Sequence, residues 1–155
     1  MDNPITNDLF DSRDLIEYKE YLQSELVDFF NDYLEGHNSE VDEDEQMDEI
    51  DSFDNVDMGL EGFRIRFEEE LDYYESIENF CKSLEDYGDF NHGETIIQED
   101  YFSEAMKDMV KDCGYIQKDL PSFIENNIDW DGVADDLRVD YTGADFEGIT
   151  YFMRA

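Results

Sequence analysis

Forty-five of the 155 residues are Asp or Glu, so carboxylate chemistry is the first thing to weigh. Two carboxylates at the right separation can share general acid and base roles. At this density, however, close pairs arise by chance, and proximity singles out none. Partners for other chemistries are sparse. His37 stands beside an acidic run and His92 in the loop between Gly88 and Gly93, where lone histidines read as surface or turn residues rather than ligands. Cys81 and Cys113 belong to no CxxC or Cys/His cluster and read as reduced structural thiols. GxSxG, HExxH and GxxxxGK[ST] are all missing. An EF-hand loop also fails: counting from Asp89 places Gly93 fifth and Glu94 sixth, and counting from Asp54 puts Val56 third. The sequence points to no enzyme, no dedicated metal site and no cofactor.

Against the 45 acids stand ten Lys or Arg, for a formal net charge of −35. The same chain holds twelve Phe, ten Tyr and one Trp, whereas acidic tails that stay unfolded are poor in aromatics. A folded body under a polyanionic coat is the consequence, and that coat stores self-repulsion. Nucleic acid and anionic membranes are repelled by such a surface, and basic protein surfaces are attracted. The N-terminal stretch has no basic region followed by an apolar run, and no segment approaches a bilayer span. These features predict a cytoplasmic protein.

Apolar periodicity shows what carries the charge. Leu15, Ile16, Tyr18, Leu22, Leu26, Phe29, Phe30, Tyr33 and Leu34 recur at helical spacing, with Asp11-Ser12 as caps and Gly36 as the stop. Residues 1–11 read as frayed. Residues 39–58 hold ten carboxylates and no cation; they fit a solvated linker, or an acidic helix docked weakly through Val41, Met47, Ile50 and Phe53. GFRIRF, residues 62–67, alternates as a strand or extended lead-in does. Further helices are expected at about 68–87, 100–113 and from Asp129 through Leu137, with a short one at LPSFIENN. Thr95-Ile96-Ile97 suits a short strand, and Glu147-Gly148 a hairpin turn between Phe146 and Tyr151. Trp130, Phe102, Met106 and Leu137 are assigned to the core by spacing.

A charge of −35 equals that of roughly 17 base pairs, or about 60 Å of duplex. Carboxylates mounted on rigid helices can therefore imitate phosphates. Residues 92–155 carry a more specific signal. In order they contain Ile128-Asp129-Trp130, Val133-Ala134-Asp135-Asp136-Leu137, Asp140-Tyr141-Thr142, Phe146-Glu147-Gly148, and Tyr151-Phe152 with Arg154. This string resembles the C-terminal part of the ArdA family of antirestriction proteins, and DSRDLIEYKEYL at 11–22 is similar to the opening of short phage-type relatives. Residues 36–70 align with nothing in the family, and the front of the chain departs from its usual N-terminal module. The resemblance implies an acidic, elongated DNA mimic, phage-encoded and acting in host cytoplasm. Such a mimic occupies the DNA-binding groove of a type I restriction-modification enzyme and forms a homodimer.

The expected fold is α+β and predominantly helical, with amphipathic helices, a small C-terminal β-hairpin and an elongated acidic surface. Its expected divisions are a helix to residue 35, an acidic linker over 36–60 and an ArdA-like domain over 61–155. The expected contacts are Glu40, Asp42, Glu43, Asp44, Glu45, Asp48 and Glu49, together with Asp129, Asp131, Asp135, Asp136, Asp140, Asp145 and Glu147. Two other readings stand: a mimic aimed at another nucleic-acid enzyme, such as a CRISPR effector or RNA polymerase, and a non-mimic acidic adaptor pairing through its long N-terminal helix.

Overall fold

The computed structural model describes all 155 residues. It is an α+β protein, mostly helical, with one four-stranded antiparallel sheet. By its internal contacts the chain forms two compact units: Met1–Asp2 with Ile16–Asn79, and Asn3–Leu15 with Phe80–Ala155. The boundaries at 16 and 79 fall inside helices α1 (Ser12–Glu40) and α3 (Glu68–Leu84). They do not fall near 35 and 60, because the acidic segment 36–60 packs into the first unit instead of separating two bodies.

The first unit is built on aromatics. Leu26, Phe30 and Leu34 of α1, Phe63 of α2 (Glu61–Arg66), and Leu71 and Tyr74 of α3 form its buried cluster. Rings interlock there: Phe30 meets Phe63 edge-on at 5.0 Å, Phe29 stacks on Phe67 at 5.0 Å, and Phe53 meets Tyr74 at 5.2 Å. Each fully buried side chain of this size contributes roughly 1.5–3 kcal/mol. Two expectations change. GFRIRF is helical through Arg66, with Phe67 as the cap, because Phe63 and Phe67 at i, i+4 both find the cluster while Ile65 is left 71% exposed. Helix α1 also runs through Gly36 to Glu40 instead of stopping.

The second unit is the sheet and what covers it. Its strand order is β1-β2-β4-β3, from β1 (Leu9–Asp11), β2 (Thr95–Gln98), β3 (Tyr141–Phe146) and β4 (Ile149–Arg154). The expected hairpin forms with Phe146 opposite Ile149. Its two turn residues, Glu147 and Gly148, have φ of 49° and 82°, the left-handed pair a tight hairpin needs. The N-terminal residues are not frayed: a 3-10 turn at Pro4–Thr6 leads into β1, and Phe10 lies opposite Ile96. Ser12 is buried; its hydroxyl donates to the Phe90 carbonyl (2.6 Å) and accepts from the Glu94 N–H (2.8 Å).

Phe10, Phe80, Phe146 and Tyr151 pack together by their rings. Ile97 and Phe152 instead meet Phe102, Ala105 and Met106 of α4 (Phe102–Asp112) and Ala134 of α6 (Trp130–Leu137). Helix α4 stops at Gly114 (φ 76°), where the Tyr115 N–H bonds the Val110 carbonyl. A four-residue helix α5 (Ser122–Glu125) follows. Phe102 and Met106 are buried as expected, whereas Trp130 and Leu137 are only partly covered. Cys81 is buried and Cys113 is exposed.

Candidate partner-binding acidic surfaces

The densest charge is held in place by two asparagines. Asn31 and Asn38 lie seven residues apart on α1, so they share a face about 10.5 Å apart along the axis. Met47 and Ile50 lie three apart in extended chain, a rise of about 10 Å. The two spacings match. The Asn31 amide donates to the Ile50 carbonyl (2.8 Å) and its oxygen accepts from the Ile50 N–H (2.9 Å). Asn38 treats Met47 the same way, at 2.7 and 2.8 Å. Because 31 pairs with 50 and 38 with 47, the strap runs antiparallel to the helix. Ile50, Phe53, Val56, Met58 and Leu60 then pack against the buried cluster. The segment is thus neither a solvated linker nor an acidic helix. It is extended, with 3-10 turns at Glu43–Glu45 and Phe53–Asn55.

All seven expected contacts of this unit are exposed: Glu40, Asp42, Glu43, Asp44, Glu45, Asp48 and Glu49. No Lys or Arg occurs from Glu20 through Phe63. The unit holds 24 acids against three cations, a net of −21. Arg64 is committed to Asp72, Glu75 and the Met58 carbonyl. Arg66 lies over the Phe67 ring and bonds the Asp32 carbonyl, not a carboxylate.

A second acidic row runs along α1. Glu25, Asp28, Asp32 and Glu35 recur at i, i+3, i+7 and i+10. Asp28, Asp32 and Glu35 wall one side of a groove of about 550 Å³, Glu49 of the strap lines it too, and Asn31 and Asn38 also border it. These helix residues are absent from the sequence-based set. Their three- and four-residue spacing away from the apolar face was the available signal. Glu25 accepts from the Tyr21 hydroxyl, which holds that phenol above its ordinary range.

In the second unit, 21 acids face seven cations, a net of −14. All seven expected contacts are exposed there as well, yet four have local work. Asp129 caps α6 by accepting from the Gly132 N–H at 3.0 Å. Asp131 accepts from the Ser103 hydroxyl (2.7 Å), Asp135 pairs with Arg138 (3.2 Å), and Asp145 accepts from the Thr150 hydroxyl (2.7 Å). Asp136, Asp140 and Glu147 make no side-chain bond and remain fully available to a partner. Outside the set, Glu125 is gripped by Lys111 and lies 3.5 Å from Lys107; the Lys111 hydrogen bond holds its carboxyl below the usual range.

Comparison with protein-family models, with characterised proteins and with solved structures gives no match. His37 stacks on Tyr33, and His92 lies 3.9 Å from Asp89 in its exposed turn. No three His, Cys, Asp or Glu side chains are arranged to hold a metal ion, and no helix is long and apolar enough to cross a membrane. Chemically, the free carboxylates can receive Lys and Arg side chains.

Proposed function

We propose that this protein is a DNA mimic that inhibits a host defence enzyme by occupying its DNA-binding groove, with a type I restriction-modification enzyme as the target. The observation that carries this reading is the pinned strap, a run of unpaired, exposed carboxylates whose backbone is held by Asn31 and Asn38. Residues 42–49 place six carboxylates along at most roughly 26 Å of extended chain, about one per 4.4 Å. The α1 row sets four over about 15 Å. One strand of duplex DNA shows about five phosphates in that length. Asp28, Asp32 and Glu35 of the α1 row and Glu49 of the strap line one groove. Pinning matters because a flexible acidic tail would have to be ordered when it binds, at about 1–2 kcal/mol per residue. The choice of a restriction-modification target rests on the resemblance of residues 92–155.

Competition tests the reading. The protein is titrated into a type I restriction-modification holoenzyme bound to labelled DNA, at 50 and 200 mM salt. Inhibition should be overcome by excess DNA, and direct binding of the protein to the DNA-free enzyme should weaken about a hundredfold across that range, since several charge contacts are exchanged. Replacing the six strap carboxylates of residues 42–49 by their amides should cost tenfold or more. A complex that forms equally well with DNA present would favour the adaptor reading. Recovery from lysate of a CRISPR effector or RNA polymerase, with no restriction enzyme, would move the target but keep the mimicry.

A further inference from the structure

The second unit carries a groove that charge mimicry does not require. About 520 Å³ in volume, it is walled by Met109 and Val110 of α4, Val133 and Leu137 of α6, and Tyr115, which is 74% exposed. Asp136 and Asp140 stand in its lining, and neither has an ion-pair partner. Arg154 is the one cation there and has no carboxylate within ion-pair distance. An apolar cleft with free carboxylates at its edge suits one kind of occupant.

We propose that this groove docks a basic amphipathic segment of the target protein, with an apolar side chain seated between α4 and α6 and flanking Lys or Arg meeting Asp136 and Asp140. Charge complementarity selects this occupant. The unit itself is at −14, so an acidic segment is repelled, and a second copy of the chain brings another −35. Purely basic surface has no use for the apolar walls. The proposal rests on the mimic reading for the sign of the partner and adds an anchor that salt does not screen, because apolar burial is insensitive to the Debye length.

Cys113 provides the test, since it lines the groove and is exposed while Cys81 is buried. Iodoacetamide alkylation of Cys113 is followed in the full chain with two 15-residue peptides of equal charge, one Leu/Lys amphipathic and one Ser/Lys. The Leu/Lys peptide should slow alkylation at least tenfold and keep doing so in 0.5 M NaCl; the Ser/Lys peptide should bind at low salt without protecting. Val110→Asp should abolish protection, with Val110→Thr as the gentler variant if the first fails to fold. Equal protection by both peptides, protection by neither, or concentration-dependent protection without peptide alongside a dimer in ultracentrifugation would each overturn the groove proposal. All three leave competition with DNA unaffected, so failure here is separable from failure of the mimic.

Discussion

Asn31→Ala should release the strap. The wild-type side chain makes two hydrogen bonds to Ile50, both partly buried. Each contributes about 1 kcal/mol net, so the variant should lose about 2 kcal/mol of local stability. Ile50 amide exchange reads this directly, because its N–H donates to the Asn31 oxygen. With about 1.4 kcal/mol per tenfold change, protection of Ile50 should fall roughly 30-fold. Asn31→Asp is the sharper variant. It keeps the acceptor, loses the donor, and sets a carboxylate against the Ile50 carbonyl in a groove already walled by Asp28, Asp32, Glu35 and Glu49. It should cost at least as much as the alanine despite its near-identical shape. Asn38→Ala, with exposed bonds, should cost about half as much at Met47. Asn55→Ala serves as control. Inhibition should weaken in the same order. Unchanged Ile50 exchange in both Asn31 variants would refute the pinning; a loosened strap with undiminished inhibition would refute the claim that pinning matters for binding.

Four further outcomes are expected. Glu147 occupies a left-handed turn position at φ 49°, so Glu147→Asn should raise stability by about 0.5–1 kcal/mol in urea unfolding. A methyl added at Gly62 would sit 3.0 Å from Tyr33 ring carbons; Gly62→Ala should lower stability by about 1–2 kcal/mol despite its better helix propensity, with partial rescue by Tyr33→Phe. Glu125 has its pKa lowered by the Lys111 hydrogen bond, so its contribution is complete above the ordinary carboxylate value and disappears as pH falls through the lowered one. Trp130, the only tryptophan, lies 5.7 and 5.9 Å from the Lys107 and Lys111 ammoniums; its fluorescence should report that acid transition, and Glu125→Gln should remove it. Raising NaCl from 20 to 500 mM should increase the melting temperature, because it screens a net −35.

What could be read from the sequence was whatever is local. Helical periodicity located α1, α3, α4 and α6, and the Glu147-Gly148 turn located the β3–β4 hairpin. Strand β1 escaped because Leu9-Phe10-Asp11 owe their conformation to Thr95–Ile97, more than 80 residues away. GFRIRF misled because six residues satisfy both periods; Phe67 stacking on Phe29 decides for the helix. The strap escaped for a different reason. Its carboxylates dominate the composition and conceal a sparse apolar set (Ile50, Phe53, Val56, Met58, Leu60) that reaches the core. The matched spacing of Asn31 and Asn38 against Ile50 and Met47 has meaning only once helix and strap lie side by side. Among the expected contacts, exposure was readable from type, but the local duties of Asp129, Asp131, Asp135 and Asp145 depend on neighbours that folding supplies.

The strap also explains how like charge can be concentrated without unfolding the unit that bears it. Two exposed carboxylates 8 Å apart repel by about 0.5 kcal/mol in water, and salt at physiological strength screens most of that. Each such term is small beside the burial of an aromatic side chain. The strap turns this inequality to use. Its carboxylates at 42–45, 48 and 49 point to water, where repulsion is cheapest, while Phe53 packs on Tyr74 and Ile50 is bonded to Asn31. Repulsion therefore spreads over many weak, screened pairs, and cohesion is concentrated in a few buried contacts. The basic groove of the proposed target would reverse only the first part: each cation it brought would turn a weak repulsion into attraction, and the buried contacts would be left as they were. On that proposal, the free energy gained on binding would not go into refolding the surface that binds.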